Sequence, residues 1–257
     1  MMLERLFNIK SKEIFSTQKS SHGFSSEYVE MNSEILSIDQ GHDLRDSLDL
    51  LDELNNLGCE NIILTPTLNN NQPELSFEAI YDSFEKLKLF QSNQANLNNL
   101  NLRIAAEYHL DQNFEKVLEM DKLLSVQDGI LKLKMLDNVD FSFVKEMITE
   151  VLSRGFSPLL TFPEMHPHLH QDLARFYELK SWGAFFQINL LSLTQYHGEN
   201  VQTITLWMLM NDLVDYVGSG IDKSFLQRKN ITYKQPFELI KNELLEIVIR
   251  KNYHLLT

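Results

Sequence analysis

Cysteine occurs once in these 257 residues, which excludes an internal disulfide and the small stapled scaffolds of secreted proteins. Glycine is also scarce, with 9 in the whole chain. Accordingly, the sequence contains no P-loop, no G-x-G-x-x-G fingerprint and no G-x-S-x-G elbow. Basic residues are outnumbered, 23 Lys+Arg against 36 Asp+Glu, for a formal charge of −13. A chain of that sign repels phosphate backbones, so nonspecific nucleic-acid binding is excluded. The roughly 18 consecutive apolar residues of a membrane span are missing. The opening MMLERLFNIKSKEIF lacks the apolar stretch of a signal peptide. These absences lead us to expect a soluble, cytoplasmic protein. Its first residues, with Leu3, Leu6 and Phe7 on one side, read as a frayed or packed terminal helix. The other reading is a short basic helix touching a membrane or partner.

What the chain does contain is an alternation. Its hydrophobic fraction of 43% and charged fraction of 23% suit a soluble core-forming protein. Amphipathic stretches end near a glycine and are followed by short β-branched or apolar runs. In DLRDSLDLLDELNNLG, Leu44, Leu48, Leu51 and Leu54 fall at helical spacing, with Asp43 placed as a cap and Gly58 as a stop. ENIILTP follows as a strand. The pattern recurs through a helix around Phe77–Leu87 and the strand NLRIAAEY, then NFEKVLEMDKLL and ILKLKML. Next come DFSFVKEMITEVLSRG and FSPLLTF, HQDLARFYELKSWG and AFFQIN, and VQTITLWMLMNDLV and DYVGSG. A last helix covers PFELIKNELLEIVIRKN. With YVEMN as the first strand, seven strands alternate with helices, which predicts a parallel sheet closed into a barrel. We expect one barrel domain over residues 28–257, preceded by an extension over residues 1–27.

In parallel α/β architectures, functional groups collect at the C-terminal ends of the strands. Those positions hold Asn32, Glu34, Asp39, Gln40, Thr67, Glu107, Phe162, Met165, Asn189, Gly220 and Asp222, a set poor in His, Arg and Lys. Their contexts resemble, in order, a known family. NSEILSIDQG is similar to HSHxLPGIDDG with one residue deleted, LGCENIILTPT to LGFxxIIxTPH, and AAEYHLD to AAEYYLD. RGFSPLLTFPEMH resembles GYxPVLAHPERY, FQINLLSLTQYHG resembles FQLNLLSLTGYYG, and DYVGSGID resembles DFVGSDTH. These are motifs of the PHP-type metal-dependent tyrosine phosphatases of bacterial capsule and exopolysaccharide operons. The resemblance implies a distorted TIM-like (β/α)7 barrel of the PHP superfamily. It also implies a cluster of divalent metals, usually manganese, and autophosphorylated tyrosine kinases of polysaccharide export as substrates.

Against that family the chain is degenerate. Two first-strand histidines become Asn32 and Glu34, and a loop aspartate becomes Gln40 beside a retained Asp39. Metal-ligand histidines become Thr67 and Phe162, the phosphate-holding arginine becomes Met165, and the closing Asp-x-His becomes Gly220 and Asp222. Among the ligands only Glu107 is unchanged. Borderline metals gain much of their affinity from imidazole nitrogen. Without metal, no hydroxide forms near neutral pH. We therefore expect no catalytic residue, no cofactor, and a binding or regulatory role toward a tyrosine kinase or an export component. The alternative is a hydrolase with a carboxylate-rich site of Glu34, Asp39, Glu107 and Asp222 around Mn²⁺ or Mg²⁺. Otherwise those carboxylates are solvated or paired with mouth lysines such as Lys223.

Other groups attract attention and yield less. His166, His168 and His170 sit in MHPHLH, which Pro163 and Pro167 are expected to hold extended. The run reads as a solvated loop rather than a metal site. Cys59 lacks the arginine six residues on that a cysteine phosphatase needs, since Thr65 stands there, and it reads as a small buried hydrophobe. Trp182, Trp207, Phe176, Tyr177, Phe185 and Phe186 read as core.

Overall fold

Leucine spacing carries the first helix: Leu50, Leu51 and Leu54 lie on one face of α1 (Leu44–Asn56) and are fully buried. Gly58 ends it at φ +82°, where a Cβ would come within 2.8 Å of the Phe24 carbonyl oxygen. The computed structural model describes Phe24 and residues 28–36, 44–137 and 139–227. It also describes Val248, Lys251, Asn252, His254 and Leu255. Asp39, Gln40 and Asp43, the opening helix and most of the last predicted helix lie outside the described residues.

The strands are β1 (Val29–Asn32), β2 (Asn61–Leu64), β3 (Thr67–Leu68), β4 (Asn101–Ile104), β5 (Glu107–Leu110), β6 (Ile130–Met135), β7 (Ser157–Thr161), β8 (Phe185–Asn189) and β9 (Tyr216–Gly218). Every ladder between them is parallel. The larger helices between them are α2 (Pro73–Ser92), α4 (Phe141–Ser153), α6 (Ala174–Ser181) and α7 (Glu199–Met210). Short helices α3 (Phe114–Leu118), α5 (Pro167–His170) and α8 (Lys223–Gln227) complete the described set.

Two predicted strands are each split. ENIILTP continues past Pro66 into β3, and NLRIAAEY breaks at Ala105 and Ala106 into β4 and β5. Proline lacks the N–H that a ladder needs, and the Ala106 N–H turns away to the Leu124 carbonyl. The nine segments thus occupy seven barrel positions, with β1-β2-β4 in one ladder and β3-β5-β6-β7-β8-β9 in the other. Several elements differ from their spacing: the helix predicted over NFEKVLEMDKLL is only the five residues of α3. MHPHLH is helical over Pro167–His170 rather than extended, since proline favours a helix's first turn. Tyr177 is 47% exposed, so it is not core; its hydroxyl donates to Asn211. Cys59 is buried as expected.

Among the described residues, β9 and β1 share no backbone ladder, and side chains span that seam. Tyr28 donates from its hydroxyl to the Val217 carbonyl at 3.3 Å and also to Glu30. The fully buried Asn252 behaves as an inserted peptide group. Its Nδ2 donates to the carbonyls of Val29 (2.8 Å) and Val217 (2.7 Å), and its Oδ1 accepts from Val217 N–H at 3.1 Å. Phe24, inside the predicted extension, stacks on Tyr28 at 3.8 Å and bonds through its N–H to the Leu57 carbonyl. Removing the Asn252 amide takes a hydrogen bond from the Val217 N–H and from the carbonyls of Val29 and Val217, of which the last keeps only the 3.3 Å bond from Tyr28. Asn252→Ala is therefore expected to lose about 2–4 kcal/mol of unfolding free energy, read by urea titration; a loss below about 0.5 kcal/mol would mean the seam is held by other contacts.

Candidate functional site

The barrel mouth is a cleft of about 360 Å³ lined by Glu30, Asn32, Glu34, Glu107, Thr161, Phe162, Met165, Asn189, Gly220 and Asp222, among others. Of the residues singled out from sequence, the structure brings Asn32, Glu34, Glu107, Phe162, Met165, Gly220 and Asp222 to this one place. Thr67 sits beside them, its hydroxyl donating to Glu107 Oε2 at 3.4 Å.

Most of these groups are already committed. The Asn32 side chain accepts from the N–H groups of Glu34 (2.8 Å) and Ile35 (3.0 Å) and donates to the Ile221 carbonyl (3.0 Å), so it shapes the turn after β1. Asp222 caps α8, accepting from Phe225 N–H at 2.6 Å and from the Ser224 hydroxyl at 2.8 Å. Gly220 stands at φ +73° with the Asn189 side chain across it; a Cβ there would fall 1.9 Å from Asn189 Oδ1. A side chain at 220 therefore requires Asn189 to move. Phe162 holds a left-handed backbone (φ 50°, ψ 50°), unusual for a bulky residue. Its ring forms an apolar wall with Met165. Lys223 pairs with Asp46 rather than with a mouth carboxylate.

Glu107 is fully buried, and its partner is Lys132, a residue the sequence reading passed over. The two face each other in the β5–β6 register, with Nζ 3.4 Å from Glu107 Oε1. The ammonium also donates to Thr65 Oγ1 at 2.8 Å and to the Met31 carbonyl at 3.5 Å. Lys132 and Lys134 alternate with leucines in ILKLKM, the period that sends side chains to one face of a strand. That period was the available signal. Glu30 was missed as well; buried in the seam, it accepts from Ser219 N–H (2.9 Å) and the Ser219 hydroxyl (2.8 Å).

Among the described residues, this donor set does not fit the metal cluster that the sequence resemblance implies. Phenylalanine supplies no lone pair, Gly220 has no side chain, Asn32 and Asp222 serve the backbone, and Glu107 already faces an ammonium. Among the described residues, no group of three or more His, Cys, Asp and Glu is arranged to hold a metal ion. The three histidines of MHPHLH do not converge either. His166 approaches Asp137 at 3.6 Å, His168 is exposed, and the His170 ring nitrogen meets the Glu164 carbonyl at 2.6 Å. Burial holds the His166 imidazole below its ordinary value, with Asp137 opposing, so the ring is neutral at pH 7 and adds no charge for an anion.

A parallel barrel with its polar groups gathered at the C-terminal mouth of the strands defines the class as a TIM-like α/β barrel protein. The chain belongs to the capsular polysaccharide synthesis CpsB/CapC family, whose family model matches residues 28–242. It is 21% identical to the Staphylococcus aureus protein described as "Putative tyrosine-protein phosphatase CapC", over 81% of this chain and 82% of that one. The fold is similar to a solved structure from work on YwqE of Bacillus subtilis and CpsB of Streptococcus pneumoniae, described as metal-dependent tyrosine phosphatases. The TM-score is 0.74 at 20% identity, over 86% of this chain and 90% of that chain. Among the described residues, no helix is long and apolar enough to cross a membrane.

Behind the mouth loop, Glu164 is fully buried; its Oε1 accepts from Asn189 N–H at 2.7 Å, while Oε2 has no hydrogen-bond partner. Burial pushes its carboxyl from 4.5 up to about 7, against the bond from Asn189. The folded state therefore keeps a proton that the unfolded chain releases. This leaves stability undiminished below about pH 4.5 and lowers it by about 3 kcal/mol as pH rises through 7. Glu164→Gln should remove that loss: the wild-type deficit relative to the variant grows between pH 5 and pH 8 in urea titrations. A constant difference across that range would show that Glu164 ionises normally.

Proposed function

We propose that this protein is a pseudophosphatase of capsule or exopolysaccharide biosynthesis: it keeps the family barrel without the family reaction and acts by binding a partner. The observation that carries this reading is the lining of the mouth. Phe162 and Met165 put apolar side chains at positions where the resemblance implies a metal-binding imidazole and a phosphate-gripping guanidinium. Asn189 lies across Gly220, and Glu107 is occupied by Lys132. Without a Lewis acid or a bidentate cation, phosphoryl transfer has nothing to neutralise its developing charge.

The ligand class follows from local charge. Glu34, Asp137 and Asp222 line the cleft against the single lysine Lys134. Phosphotyrosine, carrying close to two negative charges, is a poor occupant. An unphosphorylated or basic segment of a tyrosine kinase or polysaccharide-export component suits the cleft better. Its aliphatic stems would lie on Phe162 and Met165 while the cationic heads reach the carboxylates. In the cytoplasm such a protein would hold its partner without hydrolysing it.

Aryl-phosphate turnover with added Mn²⁺ is expected at the level of a metal-only blank. Calorimetric titration should show no binding of free phosphotyrosine and binding of a Lys/Arg-rich peptide that weakens as salt rises. Turnover above the blank that disappears in Glu107→Ala would overturn the reading, as would tight phosphotyrosine binding.

A further inference from the structure

The retained Glu107 has a consequence beyond partner binding. A carboxylate fully buried in a barrel is strongly disfavoured without a compensating cation. Lys132 supplies one from the neighbouring strand, and its side chain is fully buried too. The acceptors that meet its Nζ are the Thr65 hydroxyl at 2.8 Å, Glu107 Oε1 at 3.4 Å and the Met31 carbonyl at 3.5 Å. A carboxylate, a hydroxyl and a carbonyl are the donors that hard divalent cations prefer. Glu107 also lines the open cleft, where the buried Thr161 hydroxyl has no hydrogen-bond partner. Glu107 Oε1 likewise accepts no aligned hydrogen bond beyond its ion pair.

We infer that Lys132 is the resident cation of this barrel: its ammonium occupies Glu107 where a divalent metal would bind, and removing it uncovers an oxygen-lined metal site. The chain has thus exchanged an exchangeable ion for one attached to its backbone. The exchange makes the barrel floor indifferent to divalent metals and to chelators, whatever partner the mouth takes.

Thermal unfolding with and without MnCl₂ tests this, together with NMR of methyl-labelled methionine, since Met31, Met135 and Met165 line the cleft. Wild-type protein should show no shift in midpoint and no paramagnetic broadening at these methyls. In Lys132→Ala, saturating Mn²⁺ should raise the midpoint by roughly 5 °C or more and broaden the cleft methionines. Lys132→Ala combined with Glu107→Gln should lose both responses. If Lys132→Ala does not fold alone, Mn²⁺ in the refolding buffer should rescue it, while Lys132→Met with Glu107→Leu should fold without metal. Broadening of the cleft methionines in wild type would overturn the inference. So would a Lys132→Ala protein that is folded and blind to Mn²⁺, or unfolded and not rescued by it.

Discussion

Charge buried inside a closed barrel must be balanced there, and that constraint organises this molecule. Glu30, Glu107, Lys132 and Glu164 are all fully or almost fully buried, and they meet the requirement in three ways. Glu30 is satisfied by hydrogen bonds from Tyr28 and Ser219 across the β9–β1 seam. Glu107 and Lys132 neutralise each other. Glu164, lacking a cation, moves its carboxyl toward neutrality. The three solutions fix different parts of the fold. The first closes the barrel, the second joins β5 and β6 to β1 and the β2–β3 kink, and the third anchors the loop after β7 to the end of β8. The energetic return on such pairs is small compared with hydrophobic packing. Their effect is on specificity: a register slip would leave a bare charge in the interior.

Much of this was legible in the sequence because alternation is local information. Leu44, Leu48, Leu51 and Leu54 announce α1, and the strand ends point to Asn32, Glu34, Glu107, Phe162, Met165, Gly220 and Asp222, which line the cleft. The split strands were less legible. Pro66 signals an interrupted ladder, but the break at Ala105 and Ala106 carries no breaker residue and depends on the Ala106 N–H finding Leu124. The seam was invisible, because Asn252 lies 35 positions from Val217 and 223 from Val29. The pairing of Lys132 with Glu107 was half visible. The spacing of Lys132 and Lys134 places both on one face of a strand, yet only the β5–β6 register decides that this face meets a carboxylate. Asp222 shows the opposite error, since a carboxylate at a strand end reads as a ligand when its oxygen is in fact a helix cap.

Backbone features of the mouth are fixed independently of the side chains they carry. Phe162 takes the left-handed conformation, held by its N–H to the Gln187 carbonyl at 2.7 Å and by the turn into Pro163. Backbone strain of this kind persists only where the surroundings over-determine it, and here the surroundings are the barrel itself. Side chains at a mouth face solvent and can change with little cost to packing, whereas the turns that aim them are tied into β8 and α8. Mouth side chains can therefore be replaced one at a time, provided that each buried charge left behind finds a new partner. Glu107 is where that condition bites hardest: it cannot be left alone in the interior, and Lys132 answers it from the adjacent strand. On this argument neither member of the pair can be changed alone without leaving a bare charge in the interior. Within the fold, Glu107 and Lys132 each hold the other's buried charge in balance.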